Sequence, residues 1–497
     1  WFGGPSHEGI LPRHGHGPSP QVAGGRLFIE GPDMLRAVDV YTGRVIWERD
    51  LPGFGTYYNK TAHFAGAGEI GSNYVSLPDR VYAVHDTQIL ELDAATGTTL
   101  KSLTLDGEGP EGEHAPYWGY IGVRNDCLIA TSSPVEVTVH KGTNKGTNKP
   151  EPKKQPDFLE TLRERRYASG SRRLIVHDRH TGKLLWKRDA AFIFRHNNIA
   201  VSDNTVFCID AFSKGQIPDS KAVIGQSNAV PTLYALDLTT GRELWTKTTN
   251  IFGTFLNYSA EHDILLQAGS RYRDRANDEV GQGMVAYRGS TGEVLWRDLE
   301  RTYNGPCLLW RNRVITNGNG GFALDLLTGK PTGWSYQRTY GCNTAIGSEH
   351  MLTFRSGAAG FYDMAGEGGT GNFGGFRSSC TANLIAANGV LSAPDYTRTC
   401  SCAYQNQTSL ALIHMPEAEF WTFGASHAPG RTGVNFGAPG DRRDATGTLW
   451  TDYPSVGGDS DDVNVSVKPG GTETFRVHSS EFAGDRLAWV AASGLVG

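Results

Sequence analysis

One pattern recurs from near one end of this chain to well past its middle, and it limits the fold more than any other feature. In Leu233–Lys247, LYALDLTTGRELWTK, an apolar stretch meets Asp237, then Thr240-Gly241, then a short run ending in Trp245. Leu233, Ala235 and Leu238 are strand-compatible, and Gly241 can take the positive φ of a tight turn. The unit therefore reads as strand, turn, strand, closed by a large aromatic ring that has to be buried. Leu35–Trp47 (LRAVDVYTGRVIW), Leu174–Trp186 (LIVHDRHTGKLLW) and Met284–Trp296 (MVAYRGSTGEVLW) repeat it. Two copies have drifted: Ile89–Lys101 puts Lys101 in place of the tryptophan, and Gly321–Trp334 has one extra residue before it.

The turn glycines Gly43, Gly97, Gly182, Gly241, Gly292 and Gly329 are 54, 85, 59, 51 and 37 residues apart, the size of a four-stranded blade with insertions. The pattern Ala-x-Asp-x-x-Thr-Gly-x-x-x-Trp resembles the tryptophan-docking repeat of PQQ-like β-propellers, a superfamily that holds quinoprotein alcohol dehydrogenases and propellers with no cofactor. The resemblance implies an all-β fold, a PQQ-like β-propeller of seven or eight blades, in which each tryptophan packs against the next blade. It covers Leu35 to Trp334 clearly, with degenerate blades extending it to about residue 423, and it names an architecture without naming a reaction.

Composition agrees. A chain of 497 residues with 63 glycines and 20% charged residues suits many tight turns between strands. A net charge of −5 gives no general attraction to nucleic acid, and no apolar run is long enough for a transmembrane segment. The start at Trp1, without Met, reads as a processed or trimmed form. The domain reading is a propeller over residues 1–423, with an inserted loop and short helix at 141–166, and a C-terminal β segment over 424–497. Gln21–Glu30 is a strand pair suited to closing the ring against the last blade.

Candidate site residues fall in three places. His14 and His16 form a His-x-His pair, either half of a copper or zinc site or part of an exposed loop. In FIFRHNN, Arg195, His196, Asn197 and Asn198 follow a strand-like run, and a turn does not need an Arg-His pair. Asn304, Asn317 and Asn319 belong to inter-strand turns. After Trp334 the repeat fails, and residues 340–410 become rich in Arg, Asn, Cys and Gly, as expected where local rules yield to a site. Arg355, Arg377 and Arg398 suit carboxylate or sulfate binding, Asp395 and Tyr396 suit base and acid, and His196 suits proton transfer. Arg195, Asn198, Asn343, Asn372, Asn383, Gln405 and Asn406 would bind substrate. The alternative is a hydrogen-bonded plug that closes the ring.

Cys127, Cys208 and Cys307 sit singly in apolar strands and read as buried. Cys342, Cys380, Cys400 and Cys402 lie in the irregular stretch, as disulfides or, through Cys400 and Cys402, as a metal site. A copper, zinc or calcium ion would fit such groups. Quinoprotein alcohol dehydrogenases cover PQQ with adjacent cysteines, and this chain has no Cys-Cys pair, which counts against PQQ. Val434–Asp441, Gly447–Tyr453 and Val463–Val467 alternate like antiparallel strands and are similar to the start of a malectin-like jelly roll.

The chain resembles bacterial PQQ-like repeat proteins found with polysaccharide-degrading systems, which implies a periplasmic or extracellular place and a carbohydrate or other small polar ligand. Three functions follow: an oxidoreductase acting on a sugar or alcohol, a cofactor-free lyase or hydrolase on an acidic glycan, or a non-catalytic propeller binding glycans or proteins.

Overall fold

The computed structural model describes residues 2–3, 18–31, 33–55, 71–105, 117–134, 170–211, 230–270, 280–341, 343–374, 376, 384–394, 409–413, 419–426, 431–458, 460, 463–468, 473–483 and 487–496. Within them the chain forms consecutive four-stranded antiparallel sheets. The first is Gln21–Ala23, Arg26–Gly31, Met34–Asp39 and Val45–Asp50; the second is Tyr74–Ser76, Arg80–His85, Gln88–Asp93 and Thr99–Thr104. The third and fourth are fused. Trp118–Arg124, Cys127–Pro134 and Gly170–Asp178 pair in succession, Gly170–Asp178 then pairs with Leu184 to Arg195 of the 18-residue strand Leu184–Val201, and the end of that strand from Phe194 pairs with Thr205–Asp210, followed by Thr232–Asp237 and Glu243–Lys247.

The fifth sheet (Phe255–Ser259, Ile264–Ala268, Gln282–Arg288, Val294–Thr302) and sixth (Leu308–Trp310, Arg313–Ile315, Gly320–Asp325, Pro331–Gln337) are regular. The seventh, Ile346–Gly347 to Gly369–Asn372, gains Thr422–Phe423 at its edge. Ile385–Ala387, Val390–Ala393 and Ser409–Ile413 make the last, which takes Phe2–Gly3 as its fourth strand. An N-terminal strand thus completes the last sheet, but it is Phe2–Gly3 and not Gln21–Glu30, which supplies the first two strands of the first sheet. Val22 and Val40 of that first sheet pack with Val390 and Ala411 of the last.

The repeat explains the sheets and the joints between them. In five of the six copies the aspartate carboxylate bonds both the N–H and the hydroxyl of the threonine three residues on, at 2.8 and 2.8 Å for Asp39–Thr42 and 2.7 and 2.8 Å for Asp178–Thr181, while the copy with Arg288 in that place has its Ser290 held by the Asp263 carboxylate. The turn glycine then closes back on the aspartate carbonyl with positive φ. Four of the five repeat tryptophans bond across to the following turn: Trp47 Nε1 donates to Ala94 O at 3.0 Å, Trp186 to Leu238 O at 2.8 Å, Trp245 to Gly289 O at 2.8 Å and Trp296 to Leu326 O at 2.8 Å. The next turn glycine lies flat under the ring, so close that a Cβ on Gly241 would stand 2.6 Å from Trp186. In the drifted copy Lys101 docks the same way, its ammonium donating to Thr181 O. Cores form between sheets, as where Trp47 and Phe28 of the first meet Leu92 and Ala94 of the second.

These turns set a pH dependence. The Thr42 and Thr96 hydroxyls hold the Asp39 and Asp93 carboxyls below the usual range, and the Thr181 backbone N–H and hydroxyl do the same for Asp178. A carboxyl whose pKa is depressed on folding contributes stability above its unfolded pKa and loses it as pH falls through the folded one. The melting temperature is therefore expected to fall below about pH 4. In Thr42→Val, Thr96→Val and Thr181→Val together, the acid limb should be shallower.

After the seventh sheet, Thr432–Phe436, Arg442–Arg443 and Leu449–Tyr453 form a small separate sheet. The alternation there suggests antiparallel pairing throughout, yet Thr432–Phe436 runs parallel to Leu449–Tyr453, and residues 463–467 form no strand. Alternation fixes which side chains share a face and leaves strand direction open. Among the described residues no helix is long and apolar enough to cross a membrane.

Candidate functional site

In an antiparallel blade, the connections from second to third strand and from fourth strand to the next blade leave one edge, and the Asp-x-x-Thr-Gly turns lie on the other. The former, here called the crossover face, holds all the predicted site residues that the structure describes. Arg195, His196 and Asn198 lie within Leu184–Val201 as it passes from one sheet to the next, so they are part of a strand and do not follow one. Arg355 ends Met351–Ser356 next to Asn343, and an exposed Asn372 ends Gly369–Asn372. His14, His16, Arg377, Asn383, Asp395, Tyr396, Arg398, Gln405 and Asn406 lie outside the described residues, as do Cys342, Cys380, Cys400, Cys402 and the 141–166 insertion. Cys127, Cys208 and Cys307 are free and buried, and burial pushes the Cys307 thiol up to about 12.

On this face the second strands end in polar residues, and those residues hold the crossovers. A chain crossing the interior exposes N–H and C=O groups that no sheet satisfies, and each needs a partner. The Asp210 carboxylate accepts from Ala191 N at 2.6 Å and Phe192 N at 2.8 Å; burial pushes this carboxyl up against those two bonds. Gln267, fully buried, accepts from Phe252 N and Gly253 N and donates to Asn250 O at 2.9 Å. Asn317 Oδ1 accepts from Ala345 N at 3.3 Å.

Asn343 and Arg338 tie the next crossover down in a related way. Asn343 Oδ1 accepts from Arg355 N at 2.9 Å, and Arg338 donates to Asn343 O and Gly318 O at 2.8 and 2.7 Å. The Arg355 guanidinium, itself wholly buried, sits 5.2 Å from the Tyr340 ring centre. Glu30, at the corresponding end in the first sheet, accepts from Asn73 Nδ2 at 3.2 Å, and burial pushes its carboxyl well up. Of this group, sequence reasoning missed Glu30, Asp210 and Gln267. Their signal was an apolar run ending in one polar residue: LFIE, VFCID, ILLQ.

His196 has a closed environment. Its Nε2 lies 2.9 Å from Ser171 Oγ and 3.3 Å from Thr131 Oγ1, and Tyr120 N donates to Thr131 Oγ1 at 2.8 Å. All three side chains are buried, and a Cβ on Gly119 would stand 2.5 Å from Ser171 Oγ and 2.7 Å from His196 Nε2. The Ser-His pair is therefore roofed by backbone with no room for a reacting group, whereas general base catalysis needs the substrate proton within hydrogen-bond reach. Arg195 and Asn198 are buried on the same strand, and Asn198 Nδ2 donates to Gly253 O at 3.2 Å. Among the described residues no three His, Cys, Asp or Glu side chains come together as metal ligands.

A family-level comparison agrees with the fold. The family model described as outer membrane protein assembly factor BamB matches residues 163–251 and 232–363. Similar solved structures include BamB from Moraxella catarrhalis, at 15% identity over 67% of this chain and 79% of that one, with a TM-score of 0.40. The computationally designed Ika8 protein matches at 12% identity over 78% and 94%, with a TM-score of 0.43, and Hsv2p of Kluyveromyces lactis at 8% over 69% and 92%, with 0.39. No curated protein matches the sequence. With its docked Asp-x-x-Thr-Gly turns, its succession of four-stranded sheets and a BamB-type family match across its middle, the chain is a PQQ-like β-propeller repeat protein.

Proposed function

We propose that this chain is a non-catalytic propeller that presents its crossover face to a protein partner. The observation that carries this reading is the use made of the buried polar groups: Asp210, Gln267 and Asn317 hold crossover backbone, Asn343 ties its crossover to a second strand at Arg355 N, and His196 is sealed under Gly119. What they build is a rigid platform. Four long connections between propeller strands, residues 51–73, 135–169, 211–231 and 394–408, all join strand ends on this one face, and connections on a rigid scaffold are where recognition is commonly placed. The BamB-type family match supports a scaffold as well. The oxidoreductase and lyase readings rest on His196, Arg355, Arg377, Asp395, Tyr396 and Arg398; of these the described residues include only His196, sealed under Gly119, and Arg355, wholly buried.

Two exposed tyrosines provide the test. Tyr340 is on the crossover face and Tyr41 on the turn face, at 52% and 59% exposure. With a photo-crosslinking phenylalanine analogue at each in turn, position 340 is expected to join one discrete protein in cells and position 41 none. Equal labelling from both faces, or reduction of an electron-acceptor dye by the purified protein with a sugar or alcohol, would overturn the reading.

A further inference from the structure

A polar groove of about 550 Å³ opens on the crossover face between the fifth and sixth sheets, within the size range of small-ligand sites. Its lining is neutral and rich in carboxamides. Asn317 lies on its floor, 2% exposed; the Oδ1 is spent on Gly318 N and Ala345 N, while the Nδ2 finds no protein partner among the described residues. A buried donor left unpaired is costly, and a ligand oxygen would recover that cost. On the opposite wall Gln282 Nε2 donates to Glu300 Oε2 at 3.1 Å, which leaves the Gln282 carbonyl oxygen as an acceptor. The exposed Asn304 carboxamide and Thr302 hydroxyl extend the polar lining. The half-buried Phe322 ring is the apolar exception.

We propose that this groove binds a neutral sugar, of about disaccharide size. A sugar hydroxyl both donates and accepts, so adjacent hydroxyls can take the Asn317 donor and the Gln282 acceptor together, and the C–H face of a pyranose can lie on Phe322. Among the described residues the lining carries no cation to pair with a uronate. A peptide would need alternating backbone donors and acceptors along a sheet edge, and none of the lining side chains forms such a ladder. The inference is independent of the protein-partner reading, since a propeller can hold a glycan with or without a protein on the same face.

The test is calorimetric titration of the full chain with cellobiose, maltose and di-N-acetylchitobiose, alongside digalacturonate and trialanine. Binding of at least one neutral disaccharide is expected. Asn304→Ala, which breaks no bond within the protein, should weaken it roughly tenfold. Gly320→Phe should abolish it, because a Cβ there meets nothing nearer than Tyr336 O at 3.9 Å and the ring would fill the groove without disturbing the fold. Unchanged melting temperatures in both variants would show that the losses are local. Failure of all three neutral sugars to bind, binding that survives both substitutions, or a groove that instead takes trialanine or digalacturonate and loses it in Gly320→Phe would each overturn the proposal.

Discussion

Trp186→Ala is expected to destabilise the protein by about 3–5 kcal/mol. The indole is 8% exposed, packs with Leu236, Leu238 and Cys208, and holds Leu238 O across the joint between two sheets. Its removal leaves both a cavity and an unpaired carbonyl. Gly241 cannot compensate, since a side chain at its φ of +70° would be strained in whatever space the indole left. Lys101→Ala is the matched comparison, because that residue docks on Gly182 at the corresponding place through an ammonium at the surface. It should cost about 1 kcal/mol or less. Urea midpoints of the two variants measure the difference, and equal shifts would show that docking depends on the turn and not on the ring.

Gln267→Leu should cost about 2–5 kcal/mol although the volume barely changes, because the N–H groups of Phe252 and Gly253 and the carbonyl of Asn250 lose their partner in a wholly buried place. Gln267→Glu separates the contributions. It keeps the acceptor but puts a carboxyl where desolvation raises its pKa, so its stability should be best at low pH and fall as pH rises through that raised pKa. A Gln267→Leu variant with an unchanged urea midpoint would remove the crossover role assigned to these strand ends.

The architecture was legible because the repeat encodes local geometry. Asp39, Thr42 and Gly43 determine a turn without reference to anything distant, and Trp47 announces a neighbour. Legibility stopped at the seventh sheet, whose turn at Asp363 lacks the threonine and whose fourth strand ends in Asn372 with no tryptophan. Asp363 Oδ1 still accepts from Ala365 N and Gly366 N at 3.0 and 2.9 Å, so the geometry outlasts the motif. The polar clusters were legible as unusual but not as to purpose. Arg355, Asn343 and His196 stand out in sequence for the same reason a site would, and only the positions of Asn250, Gly318 and Ala345 show that polar side chains on this face, those of Gln267, Arg338 and Asn317, hold backbone well away along the chain.

A closed ring of like sheets can fracture at any of its joints, and ordinarily all are alike. Leu184–Val201 removes one of them: a single unbroken strand belongs to two sheets, so there is no loop at which the third and fourth can part. Under load or heat that pair should behave as one double-width segment, its amides exchanging with solvent together. The opposite extreme is the two-residue clasp of Phe2–Gly3 on Ser409–Ile413, and the ring should first spring open there.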